Sequence, residues 1–396
     1  MAKRISSLAE ILAPMDEAEF FEEYFGKKPL HLKGSDDKFA GVMDWSSLTD
    51  LINQSAIWSS KSLALVMDGR RLAPEEYCRP NLSRHGMELM MADMPKVKSW
   101  IGKGASMVLN EVDQLTPGLR AAANALETAL NGKAQGNLYC SWKAHPAFGS
   151  HFDTHDVFAI HVAGEKVWNV YQRHFVDPIA HPRFKNLDHG FDEAHKGALD
   201  QQVRLTPGDL LYLPRGFYHD ALAESHAAVH IAFGVTFPIG LDLIGPLHHR
   251  LVDDDLFRAR LPHSGRPALE EHLKKLAERL ATLAQDPALI DQLADFVGGF
   301  RYDRSELSLP EDGGKGATYR VDLPDLRIAT VSGQRCMVRQ QQAVPIPAGL
   351  EEPIAWILKA KTFHADDLAS AHPGLTDQAR QTLLQNLSNM EVISEI

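Results

Sequence analysis

The sequence has little of what would tie it to an oxidising compartment, a membrane or a nucleic acid. Cysteine occurs only at Cys78, Cys140 and Cys336, widely separated and without any Cys-x-x-Cys spacing. That argues against a disulfide framework or a thiolate metal site and for a reducing cytoplasm. No apolar run approaches the roughly 18 residues that a membrane span needs. The N-terminal stretch MAKRISSLAEILAPMDEAEFFEEYF sets a short apolar piece behind a basic start and then turns acidic. It reads as an amphipathic helix and not as a signal peptide. Positive charge is also scarce. A net charge of −11 disfavours non-specific nucleic-acid binding and suits a basic protein partner. No internal repeat or low-complexity tract appears.

At 396 residues the chain is too long for one compact core, and two or three domains are expected. Four segments can be told apart. Residues 1–90 begin with apolar positions at helical spacing between Ser7 and about Phe25, then a short strand in KKPLHLKG, and should pack on the barrel read from residues 91–240. Residues 91–240 hold a strand in GASMVLNEV and a helix in LTPGLRAAANALETAL. They then run through NLYCSW, HFDTHDVFAIHVAGEKVWNVYQ, QQVRLTPGDLLYLPRGFYHDAL and HAAVHIAFGVTFP. Short β-branched or aromatic runs between Gly and Pro turns predict a β-sandwich or barrel. In TPGD, Pro207 and Gly208 fit the centre of a type II turn that delivers a strand Leu210–Leu213. Residues 241–304 are helical, with Leu269, Leu273, Leu276, Leu280 and Leu283 on one stripe. Residues 305–396 return to short strands around a flexible EDGGKGA and end in helix, turn, helix and strand, a winged-helix-like pattern.

Histidine is plentiful at 19, and many of these crowd between positions 145 and 230. In GSHFDTHD, His151 and Asp153 stand two apart, so on an extended backbone both aim into the same space. Alone, His-x-Asp is common, and a turn with Asp153 capping a backbone amide would explain it. The stretch GDLLYLPRGFYH is more specific. It follows G-x5-P-x-G-x2-H, in which glycine lets the backbone turn and Pro214 ends a strand where no ladder bond is needed. That arrangement delivers His219 into a barrel mouth. Two histidines and one carboxylate make the facial triad of non-haem Fe(II) oxygenases, although zinc also accepts such donors. A three-histidine cupin with an added Glu is disfavoured, because Val157 and Phe158 are apolar where that Glu would follow.

These motifs resemble the JmjC cupin-like oxygenases, and among them the branch of ribosomal oxygenases that hydroxylate ribosomal proteins. The specific matches are HFDTHDVFAIHVAGEKVW and PGDLLYLPRGFYHDAL; FFEEYFGKKPLHLKG and the helical and winged-helix-like flanks are consistent with them. The resemblance implies a double-stranded β-helix followed by a helical domain and a winged-helix-like domain. It implies Fe(II) held by His151, Asp153 and His219, with 2-oxoglutarate as cosubstrate and O2 as oxidant. Lys166 stands where relatives carry the basic residue for the distal carboxylate, and Tyr139 and Asn137 match positions that hydrogen-bond 2-oxoglutarate. The residues themselves agree about Lys166, since it shares a strand face with Trp168 and Val170, odd company for a surface lysine. His230 could line the site as a substrate contact or be a satisfied core histidine. His145, His155, His161 and His226 read most simply as loop or barrel-surface residues. Ala223 departs from the cupin pattern, where an Asn often stands four residues past the last ligand.

The expected activity is 2-oxoglutarate-dependent hydroxylation of a protein side chain, with a basic ribosomal protein as substrate. Demethylation would use the same chemistry up to the last step. Two other classes stay open: a metal cupin acting on a small molecule without 2-oxoglutarate, and a non-catalytic binding module. DNA is disfavoured, since residues 351–396 carry seven acids against three Lys or Arg. In relatives the helical segment forms a homodimer, and the same is expected here.

Overall fold

Strands form where the short apolar runs predict them, but more of the chain joins one sheet than the four segments suggest. The computed structural model describes residues 3–82, 88–142, 149–185, 187, 190–224, 227–304, 317–323, 326–331, 333–339 and 342–396. By its internal contacts the chain divides into Met1–Asp303 and Arg304–Ile396.

The first unit contains β1 (Leu30–Leu32), β2 (Leu63–Met67), β3 (Arg70–Arg71), β4 (Cys78–Leu82), β5 (Glu88–Ala92) and β6 (Ser106–Leu109). It continues with β7 (Lys133–Ser141), β8 (Asp156–Ala163), β9 (Lys166–His174), β10 (Leu199–Leu205), β11 (Leu210–Leu213), β12 (Phe217–Ala223) and β13 (Ala228–Thr236). An eight-stranded sheet runs β1-β11-β8-β13-β7-β6-β2-β3, and a three-stranded sheet runs β10-β9-β12. Every pairing in both is antiparallel. The strands of residues 1–90 therefore do not simply pack on the barrel. Apart from the separate β4-β5 pair, they are hydrogen-bonded into its larger sheet.

Alternation along β8 shows how the layers meet. Val157 and Ala159 pack with Trp168 and Val170 of β9, Val203 and Leu205 of β10, and Leu211 and Leu213 of β11 in a small core between the sheets. Phe158 and Ile160 point the other way into the main core, with Leu8, Ile11, Phe20, Leu119 and Leu126 of the covering helices. A strand buried on both faces reads as an apolar run instead of an alternating one, which is the pattern of FAI. Of the covering helices, Pro117–Leu130 begins at Thr116, whose hydroxyl accepts from Leu119 N–H. The single helix expected from Ser7 to Phe25 is two, Leu8–Leu12 and Glu17–Glu23, with Asp16 capping the second.

The Pro207–Gly208 turn is present. Gly208 has φ +90°, and a Cβ on it would collide with the Ser35 carbonyl. Glycine is needed there for both reasons. Helices Ile244–Asp253, Arg266–Ala284 and Pro287–Gly298 complete the first unit. The second unit has three-stranded sheets built from Thr318–Val321, Thr362–His364 and Ile393–Glu395 and from Arg327–Val331, Gln334–Arg339 and Gln342–Pro345. Its own core includes Ile354, Ile357, Phe363, Leu368 and Leu387 of the C-terminal helices and strands. All of EDGGKGA but its last residue, Ala317, lies outside the described residues. Among the described residues, no helix is long and apolar enough to cross a membrane.

A candidate metal centre and its cavity

Residues 68 positions apart meet at a two-bond bridge. His151 N–H donates to the His219 carbonyl at 3.0 Å, and His219 N–H donates to the His151 carbonyl at 2.8 Å. The bridge is an isolated one, although His219 itself also pairs with Val170 in the β9–β12 ladder, and it brings the two rings to 4.5 Å. With Asp153, one ligand atom from each of the three residues lies within 4.8 Å of the others.

The way each imidazole is held decides what it can bind. Nδ1 of His151 lies 2.9 Å from the Gly149 carbonyl, and Nδ1 of His219 lies 2.9 Å from the Phe217 carbonyl. A carbonyl only accepts, so both Nδ1 atoms carry a hydrogen, which leaves Nε2 as the ligand atom of each ring. His219 Nε2 stands 3.5 Å from Asp153 Oδ2. Burial, helped by His151 and opposed by Asp153, pushes the His219 pKa down to about 4, so it is neutral near pH 7. Burial pushes the Asp153 carboxyl up, but His155, His151, His219 and Lys185 outweigh it, and its pKa lies below the usual range. Two imidazoles, each with Nδ1 tied to a carbonyl, and a carboxylate beside them suit a divalent first-row metal with positions left open.

Between the two sheets the same three residues line a cavity of about 280 Å³ with Tyr139, Lys166, Trp168, His230 and small or aliphatic side chains. Lys166 opens β9 and is 4% exposed. Its Nζ lies 5.7 Å from the Trp168 ring centroid and 5.9 Å from that of Tyr139. No Lys166–carboxylate ion pair is found among the described residues, and burial, eased only by Cys140, pushes its pKa down to about 8. Trp168 connects the two ends, since its indole also lies against the His219 ring at 5.7 Å. Its Nε1–H is buried without an acceptor among the described residues, and His230 Nδ1 is likewise buried without a partner.

Tyr139 stacks on His230 at 4.8 Å, and burial raises its hydroxyl pKa, with Asp153 adding to the rise. Asn137 stands two residues back on the same strand face, and its side-chain oxygen accepts from Glu111 N–H at 3.1 Å. It is not among the cavity-lining residues. Of the other histidines, His155 is in a loop, with its ring where a Cβ on Gly234 would have to go. His161 corrects the expectation of a surface position. It is fully buried in β8 opposite His230, and its Nε2 lies 2.9 Å from the Gly164 carbonyl. A strand covered on both faces has no surface for a polar residue to mark. His145 and His226 lie outside the described residues.

Sequence reasoning left the β9–β10 connection unassigned. It supplies Phe184, Lys185, Leu187 and Asp192 to a second hollow of about 400 Å³ that shares His151 and Asp153 with the cavity. Trp168 is visible in the sequence as a same-face neighbour of Lys166, but nothing there tells that its N–H is unsatisfied.

Residues 116–243 match the family model described as JmjC domain. That stretch is a JmjC domain. The protein is 26% identical over 317 residues to the uncharacterised protein YxbC of Bacillus subtilis, covering 74% of this chain and 92% of that protein. It is 24% identical over 301 residues to the bifunctional lysine-specific demethylase and histidyl-hydroxylase NO66 of Dictyostelium discoideum, covering 70% of this chain and 54% of the other. Among solved structures, Escherichia coli YcfD superposes with a TM-score of 0.53 at 18% identity, covering 96% and 98% of the two chains. A structure of YcfD, titled a ribosomal oxygenase in complex with cobalt and 2-oxoglutarate, gives 0.50 at 19% identity over the same shares. The fold is shared along nearly the whole chain.

Proposed function

We propose that this JmjC protein is an Fe(II)- and 2-oxoglutarate-dependent oxygenase that hydroxylates a side chain of a ribosomal protein. The observation that carries the reading is the pairing, in one cavity, of a preformed His151–Asp153–His219 donor set with a buried ammonium that lacks an anion among the described residues. Iron bound to those three side chains would supply, with 2-oxoglutarate, the activation of dioxygen for C–H hydroxylation, leaving succinate and CO2. The chain does the rest. Gly149 and Phe217 carbonyls hold the imidazoles so that Nε2 faces inward. Lys166 takes the distal carboxylate of the cosubstrate, and Tyr139 and Trp168 wall it off from water. A carboxylate about 4 Å from that ammonium gains roughly 4 kcal/mol at an effective dielectric near 20, before desolvation. Asn137, off the cavity wall, contributes through Glu111 and the strand it shares with Tyr139. The hollow beside His151 and Asp153 is where a substrate side chain would approach.

The partners follow from charge and exposure. A chain of net charge −11 is electrostatically suited to a basic ribosomal protein. Helix Arg266–Ala284 buries none of its residues, and Leu273 is 50% exposed. A second copy of the chain covering residues 241–304 accounts for that stripe. The winged-helix-like segment 305–396 contacts protein rather than DNA, and three free cysteines support a reducing cytoplasm as the enzyme's location. The test is to supply Fe(II), 2-oxoglutarate and ribosomal proteins from cells that lack the enzyme. Succinate release together with a one-oxygen mass gain on a ribosomal protein is expected. Absence of both, with no visible absorption band on anaerobic addition of Fe(II) and 2-oxoglutarate, would refute it.

A further inference from the structure

The outer face of the β10-β9-β12 sheet, turned away from the cavity, carries a chain of polar side chains that the proposed chemistry leaves unused. Strand alternation puts Asp220 there because its neighbour His219 points inward. Asp220 Oδ2 accepts from the Ser150 hydroxyl at 2.6 Å and from the Tyr171 hydroxyl at 2.5 Å, and Oδ1 accepts from Asn169 Nδ2 at 2.8 Å. Lys196 Nζ donates to Ser150 Oγ at 2.8 Å and to the Tyr171 hydroxyl at 3.2 Å, and it pairs with Glu193 at 2.7 Å. Each hydroxyl thus accepts from a cation and donates to an anion, which fixes its direction. Charge-assisted bonds of this kind are about twice as strong as neutral ones.

The position of these residues matters more than their number. Ser150 immediately precedes His151, and Asp220 immediately follows His219. Where those two histidines meet, the His151 loop is joined to β12 by an isolated bridge and, just before that strand, by one further backbone bond, Gly216 N–H to the Asp153 carbonyl at 2.9 Å, with no continuous ladder between the two segments among the described residues. Two backbone contacts without a continuous ladder hold the segments together but set the tilt between them weakly. A side-chain tie one residue away from the bridge, on the opposite side of the backbone, supplies a third point.

We propose that Ser150 and Asp220 are positioning residues, whose hydrogen bond outside the barrel clasps the His151 loop to the His219 strand and sets the spacing of the two imidazoles inside it. The inference rests on the reading of His151, Asp153 and His219 as metal ligands. Lys196 and Glu193 extend the clasp to the β9–β10 connection, which also walls the hollow beside the metal. Supports that orient ligands in this way are typically worth about 10–100-fold in metal affinity.

The experiment titrates the metal-free full-length protein with Co(II) alone, reading affinity by calorimetry and ligand geometry from the visible cobalt spectrum. Ser150→Ala and Asp220→Ala are each expected to weaken Co(II) by about 10–100-fold with an altered spectrum. The double variant should be little worse than Asp220→Ala, because both changes break one connection. Ser150→Thr, which keeps the hydroxyl, should restore the wild-type spectrum. The KM for 2-oxoglutarate at saturating Fe(II) should stay near wild type in Ser150→Ala, since Lys166 is untouched. If Ser150→Ala melts like the wild type and binds Co(II) with unchanged affinity and spectrum, the clasp is refuted. Should Asp220→Ala fail to fold, Ser150→Ala decides alone. A wild type that takes no Co(II), or a His219→Ala variant that takes it equally well, overturns the metal reading and the clasp with it.

Discussion

The two ends of the cavity are finished to different degrees. At the metal end both imidazoles are backed, His151 by the Gly149 carbonyl and His219 by the Phe217 carbonyl. At the other end, among the described residues, the ammonium of Lys166 has no carboxylate, Trp168 Nε1–H has no acceptor and His230 Nδ1 has no partner. Leaving buried polar groups unsatisfied costs about 1–3 kcal/mol each, more when charged. The contrast is what the proposed function requires, with ligand atoms gathered for a cation at one end and a buried cation without an anion at the other.

That contrast can be broken most severely at Lys166. Lys166→Ala should raise the KM for 2-oxoglutarate by about 100-fold, the equivalent of roughly 2.7 kcal/mol. Co(II) affinity should stay near wild type, so steady-state kinetics together with a cobalt titration separate the two ends. A variant that loses both equally would show that the ends are not independent.

Removing the charge but keeping the bulk sharpens the same point through stability. The Lys166 pKa of about 8 lies below the ordinary 10.5, so between those values the folded state has released a proton that the unfolded chain still holds. Stability then rises with pH across that window, and the burden of the buried ammonium is fully present below pH 8. Lys166→Met should therefore melt higher than the wild type at pH 7 in the absence of cosubstrate. Its advantage should shrink from pH 8 toward 10.5, as thermal melts across that range would read. A flat difference with pH would mean that the ammonium is not desolvated. The smallest effect is expected from Trp168→Phe, which keeps an aromatic ring beside His219 and deletes only the orphan N–H. One lost hydrogen bond of about 1 kcal/mol corresponds to roughly a fivefold rise in KM for 2-oxoglutarate.

Much of this site was legible because its geometry is local. Two residues apart on an extended backbone means one side, and G-x5-P-x-G-x2-H fixes where a strand stops and a histidine begins. Lys166, Trp168 and Val170 could be placed on one face by the same period of two, and all three are buried. What was not legible depends on partners distant in the chain. Leu63–Met67 is an apolar run of strand length, but its neighbour Ser106–Leu109 and the sheet beyond it belong to pairings that no local pattern encodes. His161 misled because polarity marks a surface only when a strand has an exposed face. The side chains around Asp220 are ordinary polar residues in sequence, and only folding sets Ser150 against them.

One feature of the large sheet bears on how the protein can be handled. The stretch that matches the JmjC family, residues 116–243, supplies β7, β8, β11 and β13 but not β1, β2, β3 or β6, half of the sheet's strands. Excised at those limits, it would bare the edge of β11 on one side and of β7 on the other, and Tyr212 would lose the Gly26 amide that its hydroxyl accepts. Naked edges of that kind invite chains to stick to one another. Kinship in sequence and autonomy in folding have different borders in this molecule, and a shortened version cut along the first would aggregate for want of the second.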